Sequence, residues 1–536
     1  MGGPALARAD VDGPGLNSYA RARLADQEGA LDIAVASYRQ ALSLDPSSPV
    51  VALRSYRQAI EGGDKALALA SARILDAADL LPRDGTLLLL ADALERKDWV
   101  GARAFSARMR KEENFGFLAP IVDSWISMAS GPYTPPKIDS GSRFAPLTQR
   151  YVDEHLAFQA LAQGRKDIAL PAIERALTLT TTPLVGLRLA FAQRLVQIGE
   201  RDRALACLKP DVPVLVRMRG DIARGARLPS AAPLTPAQGV ARLFARLGED
   251  VSTTDSRAVS VVLARIATFA DPASAELRLS LARALQVRNL SDAALAETAK
   301  VPKGSWFALA AADVRVDALM ALDRNEEAMT LARALVADPE AGAAEWMRLG
   351  NILAEEKQYD AAADAYRSAH RFYADGTVPW TLYLLEGSAL ERGNRWEDGR
   401  KALEQAAALA PDEPVVLNYL GYAQVQRRQN VPAALALLEK ASAMKPNDPS
   451  ITDSLGWALY ISGDARGAVP VLEKAAAGAP DDMTINEHLG DALWSVGRRY
   501  EARYAWSAAN TAAEGADADR ITSKVREGLR PEYAAP

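Results

Sequence analysis

Residues 453–482 read DSLGWALYISGDARGAVPVLEKAAAGAPDD, and from Glu487 the chain reads EHLGDALWSVGRRYEARYAWSAAN. Both stretches carry Leu-Gly, an aromatic, a second Gly, an Ala and a large apolar residue, in that order. Gly456 and Gly490 stand 34 residues apart. Self-similarity at a fixed period of this length constrains the fold more than any other feature of the sequence. It specifies small units that stack on their own copies, because one such unit cannot bury its own apolar face.

Used as a ruler, with Leu455 and Gly456 at positions 7 and 8, the doubled phrase extends along the chain. Gly463, Ala468, Ala475 and Pro480 fall at positions 15, 20, 27 and 32. In the next copy Leu489, Gly490, Ala502, Trp506 and Ala509 fall at 7, 8, 20, 24 and 27. Upstream, Leu349, Gly350, Tyr359, Ala362, Tyr366 and Ala369 fit the same slots, and near the start so do Gly29, Ala34, Tyr38, Ala41 and Pro46. This pattern resembles the tetratricopeptide repeat, a pair of short antiparallel helices. Apolar residues three and four apart give each helix an apolar face. Small residues at 8, 20 and 27 let backbones approach, large ones fill the gaps, and Pro at 32 ends the second helix. The repeat glycines are Gly350, Gly387, Gly421, Gly456 and Gly490.

The expectation is an all-α solenoid, a right-handed superhelix of about 13 helix pairs. Two Pro-rich stretches, 131–147 and 226–238, break the rhythm and are expected as loops. They divide the repeats into an N-terminal array (15–130), middle units (148–225) and a C-terminal array (239–513). In 514–536, Ile521, Val525 and Leu529 recur every four residues, as a cap helix with a tail requires. Residues 1–14 read as a disordered start or as the end of a secretory signal, with Ala7-Arg8-Ala9 before Asp10. The unit that contains Gly421 carries one extra residue, since Gly421 and Gly456 stand 35 apart.

Composition narrows the function classes. A net charge of −5 over 536 residues offers no basic excess for a phosphate backbone, so nucleic acid is not an expected partner. The apolar run around Leu87 to Leu90 is too short to span a bilayer, so no transmembrane segment is expected. Cys207 is the only cysteine, and His155, His370 and His488 lie far apart in sequence. No metal site, cofactor or catalytic constellation is expected. Glu487-His488 lacks the second histidine of a metalloprotease helix, and no phosphate-binding Gly-Lys loop occurs. His155 and His488 occupy the same repeat slot and read as packing residues, as does Cys207.

What remains is a surface. In tetratricopeptide arrays the first helix of each pair lines a concave groove, chiefly through positions 2, 5, 9, 12 and 13. The resemblance therefore implies a groove formed by Asn351, Glu355, Glu391, Arg392, Asn418, Tyr422, Gln426, Asp453, Trp457, Tyr460, Glu487, Asp491 and Trp494. Its four aromatics suit binding hot spots, and its five acids against one base suit a segment both basic and apolar. Trp457 and Trp494 have a second reading, as ordinary core between neighbouring helices.

Four phrases go beyond generic repeat chemistry: ERGNRWEDG from Glu391, PVVLNYLGY from Pro414, DSLGWALY from Asp453 and EHLGDALWSVGRRYEARYAW from Glu487. In this order they are similar to the C-terminal units of large bacterial tetratricopeptide proteins that are often exported. That resemblance implies a periplasmic adaptor or scaffold, with an envelope protease or cell-wall enzyme as partner. The chain departs from the lipoprotein members in having no anchoring cysteine near its start. The expected function is a non-enzymatic protein-binding scaffold of the bacterial envelope. Two alternatives stay open: a cytoplasmic assembly factor or co-chaperone, and an enzyme accessory or glycan-binding module whose aromatics stack on sugars.

Overall fold

The computed structural model describes residues 14–112, 115–138, 144–178, 184–209, 212–226, 228, 234–251, 257–339, 341–374 and 376–535. Among these the regular structure is helical throughout, with no strand. The expected N-terminal segment 1–14 lies outside the described residues apart from Pro14, as do parts of both Pro-rich stretches.

The chain forms two compact units, 1–340 and 341–536. The first begins with three pairs: α1 (Pro14–Gln27) with α2 (Leu31–Leu44), α3 (Pro49–Gly62) with α4 (Lys65–Ala77), and α5 (Arg83–Glu95) with α6 (Trp99–Lys111). A lone α7 (Ala119–Ser130) follows. Next come α8 (Ala145–Ala162) with α9 (Lys166–Thr178), α10 (Val185–Gln197) with α11 (Arg201–Cys207), and a lone α12 (Pro213–Ala223). Three further pairs complete this unit: α13 (Pro236–Val251) with α14 (Arg257–Ala270), α15 (Ala275–Val287) with α16 (Ser291–Thr298), and α17 (Ala308–Ala321) with α18 (Asn325–Val336).

The second unit is regular. Its pairs are α19 (Ala343–Glu355) with α20 (Tyr359–His370), α21 (Trp380–Arg392) with α22 (Trp396–Leu409), and α23 (Pro414–Gln426) with α24 (Val431–Met444). Then come α25 (Pro449–Ile461) with α26 (Ala465–Gly478), α27 (Met483–Ser495) with α28 (Arg499–Asn510), and a last helix, α29 (Gly515–Glu527).

Local chemistry sets the helix ends. Asp448 and Asp482 cap α25 and α27 by accepting backbone N–H groups at 2.9–3.1 Å, and Pro449 sits in the first turn of α25, where its missing N–H costs nothing. The turn between paired helices needs a left-handed residue at position 15. Gly463 and Gly497 supply it without strain, whereas Lys357, Asn394 and Arg428 take the same conformation with a side chain. The extra residue of the third pair shows as a second left-handed position, Asn430, just before α24.

The close approach inside each pair follows one rule. The glycine at position 8 of the first helix faces the large residue at position 24 of the second. A Cβ at Gly350 would lie 2.5 Å from Tyr366 Cε1, at Gly387 2.7 Å from Leu403 Cγ, and at Gly421 2.8 Å from Leu438 Cγ. At Gly456 it would lie 2.6 Å from Leu472 Cγ, and at Gly490 2.3 Å from Trp506 Cδ1. Any side chain there would overlap the residue that fills the pair's core.

The first unit departs from a simple array. The helices α13 and α14 do not merely continue the stack. They pack on α3 and α5, the first helices of the second and third pairs, and on the lone α7. Gly239 of α13 lies so close to the buried Trp125 of α7 that a Cβ would be 2.3 Å from its indole. On α14, Arg265 donates to the carbonyls of Ile60 (2.9 Å) and Glu61 (2.8 Å), which are last-turn acceptors of α3, and to Glu297 Oε1 at 2.6 Å. The guanidinium thus caps a helix 205 residues away. Covered on this face as well, α5 is buried from Gly85 through Leu94. The boundary between the two compact units falls at residue 340, inside the expected array 239–513, and α13 and α14 of that array pack with the N-terminal repeats.

Two outcomes test this packing. Gly456→Leu and Gly490→Leu should each destabilise the second unit by roughly 1–3 kcal/mol through overpacking, read from the denaturant midpoint. Arg265→Met should cost about 3 kcal/mol, because Glu297 is left buried with only Arg278 and Lys300. That loss should appear as faster amide exchange in the last turn of α3. Unchanged exchange there would mean that α14 does not secure α3.

Candidate partner-binding groove

In the second unit, the first helix α25 packs on the first helices on either side of it, α23 and α27, while successive second helices pack less closely. The side formed by first helices is the one that the repeat pattern expects to line the groove. Side-chain contacts run along it from pair to pair. Tyr419 joins Ser388 (2.8 Å) and Glu391 (3.2 Å), Arg427 joins Glu391 (2.5 Å), and Tyr460 joins Ser495 (3.2 Å).

The expected groove residues fall into three groups. Asn351, Glu355, Arg392 and Gln426 are exposed, and Glu391, Asn418, Tyr422, Tyr460 and Trp494 are half-buried. The remaining four, Asp453, Trp457, Glu487 and Asp491, are buried. Trp457 is only 1% exposed and stacks on His488 (3.9 Å between ring centres) and on Tyr460 (4.9 Å). Its indole offers no open face to a sugar or a peptide. Trp494 packs at 5.4 Å from Trp506, with the guanidinium groups of Arg499 and Arg503 over its ring. Both tryptophans serve the helix contacts.

The acidity expected of the groove is answered within the protein. Lys524 of α29, itself fully buried, donates to Glu487 Oε1 (2.7 Å) and to both oxygens of Asp491 (2.7 and 2.8 Å). Arg520 adds a two-pronged contact to Glu487 at 2.8–2.9 Å. Trp506 Nε1 donates to Asp491 Oδ1 at 2.9 Å, and His488 Nδ1 to Asp453 at 2.9 Å. Burial by itself would raise Glu487, but hydrogen bonds from Arg520 and Lys524 outweigh it and hold the carboxyl below its usual range. Burial pushes Asp491 upward despite Lys524. Of the five acids only Glu355 is exposed, and the half-buried Glu391 is paired with Arg427.

The cap differs from expectation in one respect. The α29 helix ends at Glu527, and Leu529 lies beyond it, although it still packs on the terminal core with Ile521 and Val525. The first signal of the buried cation was its place. Lys524 lies three residues after Ile521 and next to Val525, on the apolar face.

The other reactive groups are packing groups. Burial holds His155 neutral, its pKa lowered to about 3, and it accepts a hydrogen bond from Trp125 Nε1 at 3.0 Å. Burial pushes the Cys207 thiol up to about 11. The third histidine, His370, lies 3.2 Å from Glu386. Among the described residues no three His, Cys, Asp or Glu side chains gather as metal ligands, and no helix is long and apolar enough to cross a membrane.

Tetratricopeptide-repeat profiles match residues 18–48, 314–376 and 384–449. This chain carries tetratricopeptide repeats. Such repeats form scaffolds that typically mediate protein–protein interaction. No curated protein matches the chain. Among solved structures, MamA of MSR-1 is 22% identical over 32% of this chain and 95% of its own, with a TM-score of 0.27. MamA from Desulfovibrio magneticus RS-1 is 16% identical over 31% of this chain and 92% of its own, at 0.28. The Cut9–Hcn1 hetero-tetramer of the APC/C is 12% identical over 97% of both chains, at 0.40.

Lys524→Met tests the electrostatic cap of this repeat protein. It should destabilise the second unit by about 3–5 kcal/mol near pH 7, since buried Asp491 loses its cation and Glu487 keeps only Arg520. The deficit should shrink toward pH 5. Asp491, already raised by burial, is raised further without Lys524 and binds a proton more readily in the folded variant than in the unfolded chain, so acid favours the fold. In the native chain the contribution of Glu487, held low, is instead lost as pH falls through its folded pKa. Urea midpoints at the two pH values decide the matter.

Proposed function

We propose that the concave face of α19, α21 and α23 holds an extended segment of a protein partner, and that the chain is a non-enzymatic scaffold. One contrast carries this reading. In the first unit the first-helix face of α3, α5 and α7 is filled by α13 and α14. In the second unit the equivalent face still presents exposed Asn351, Arg392 and Gln426 beside the half-buried Tyr422. Asn418 adds a buried side-chain oxygen without a hydrogen-bond partner, an acceptor suited to a backbone N–H. The partner contributes apolar groups and backbone hydrogen bonds. A basic segment gains little, because Lys524 and Arg520 already neutralise the acids of α27.

The four C-terminal phrases support a place in the bacterial envelope, with an envelope protease or a cell-wall enzyme as the partner class. Fractionation of cells carrying the native gene tests that placement. A cytoplasmic fraction alone would replace it with an assembly-factor role.

A photo-crosslinking residue at Gln426, on the concave side, should capture partner in vivo, while one at Tyr500, an 84% exposed residue of α28, should not. With the captured partner, Tyr422→Ala should cost on the order of 2 kcal/mol in calorimetric titration, as a central aromatic does. Glu355→Gln should cost well under 1 kcal/mol, and affinity should respond weakly to salt. Capture at Tyr500 instead would place the interface on the outer helices.

A further inference from the structure

The groove does not stay open along its whole length. After Glu527 the chain turns at Gly528, whose φ of +90° favours glycine. A Cβ there would also lie 2.2 Å from Trp494 Cζ2, so the turn is pressed against the last repeat. Leu529 joins the terminal core. A short 3-10 turn, Pro531–Tyr533, then redirects the chain, with the Tyr533 hydroxyl donating to Glu527 at 3.4 Å. At the far end the backbone N–H of Ala535 donates to Asp491 Oδ2 at 3.1 Å. The Ala535 side chain packs against the cluster that contains Trp457, Tyr422 and Tyr460.

This tail runs back over the concave side from α29 across α27 to the aromatic cluster of α23 and α25. Asp491 is fully buried, and its other donors, Lys524 and Trp506, come from the repeat and its cap. Its last donor is the main-chain N–H of Ala535, just past the 3-10 turn, and a main-chain donor is how a groove reads a peptide of any sequence. We propose that residues 529–535 are an intramolecular occupant of the groove, which a partner segment must displace. This rests on the reading that the groove binds a protein segment. It also specifies the ligand as an extended stretch whose backbone N–H reaches Asp491 and whose small apolar residue covers the Tyr422–Trp457–Tyr460 cluster.

The hold is built to be reversible. Arg530, Pro531, Glu532 and Ala534 are exposed, and Arg530 and Tyr533 reach back only to Glu527, so beyond Leu529 the hold on the repeats is one hydrogen bond and one small side chain. A tether this short keeps the local concentration of the tail high, so even a weak seat competes with a free ligand. If the tail is seated in about nine molecules of ten, partner affinity falls about tenfold.

The test compares the full chain, its Ala535→Pro variant and a form that ends after Arg530. The proline removes the donated N–H and leaves the repeats untouched, and ending after Arg530 keeps Leu529 in the core. A nitroxide label on Glu532→Cys reports the seat directly, because Cys207 is buried and its thiol stays unlabelled. The label should be immobilised in the full chain and mobile once Ala535→Pro is added. Separately, a nonapeptide selected from a displayed library on the shortened form should bind that form and the proline variant about tenfold more tightly than the full chain. A mobile label in the full chain, or equal peptide affinity for all three forms, overturns the tail as occupant and leaves the groove reading standing. An immobilised label with no peptide selected on any form overturns the groove reading, and the tail's role as competitor with it.

Discussion

An amphipathic helix pair always has one apolar face left over, and the architecture of this chain depends on how each of those faces is covered. Within a pair, the position-8 glycine lets the second helix close on the first until Tyr366, Leu403 or Trp506 touches bare backbone. Between pairs, the next first helix covers the remaining stripe. Where stacking ends or is interrupted, something else must do so. In the first unit α13 and α14 lie across the first-helix face, and in the second α29 covers α27.

Both coverings carry a buried cation. Arg265 ties α14 to the carbonyl end of α3 and to Glu297, while Lys524 ties α29 to Glu487 and Asp491. Buried ion pairs add little net stability relative to apolar contacts of the same shape, since desolvation offsets attraction. They do penalise every arrangement in which the partners miss each other. In a chain whose repeats all present similar apolar stripes, that penalty fixes which helix closes which face. The same covering pairs the acids Glu487 and Asp491 within the protein.

Much of this is written locally. The period, the Asp and Pro caps, the left-handed turn slot and the glycine opposite position 24 concern residues within one unit, and the sequence alone determined them. So did the all-α class, because periodicity within a helix needs no knowledge of its surroundings. Even the cover on α5 left a trace, since a helix that reads Thr86-Leu87-Leu88-Leu89-Leu90-Ala91 is apolar on more sides than one neighbour can bury. What only the tertiary structure decided is which polar residues face solvent. Repeat position assigns Asp453, Trp457, Glu487 and Asp491 to the first-helix face, yet all four are buried, because His488, α29 and the tail arrive from 31 or more residues away. Position in a repeat fixes the direction of a side chain, whereas exposure depends on what else reaches that space. Contacts set by chain reversal over such distances leave no periodic signal in the sequence.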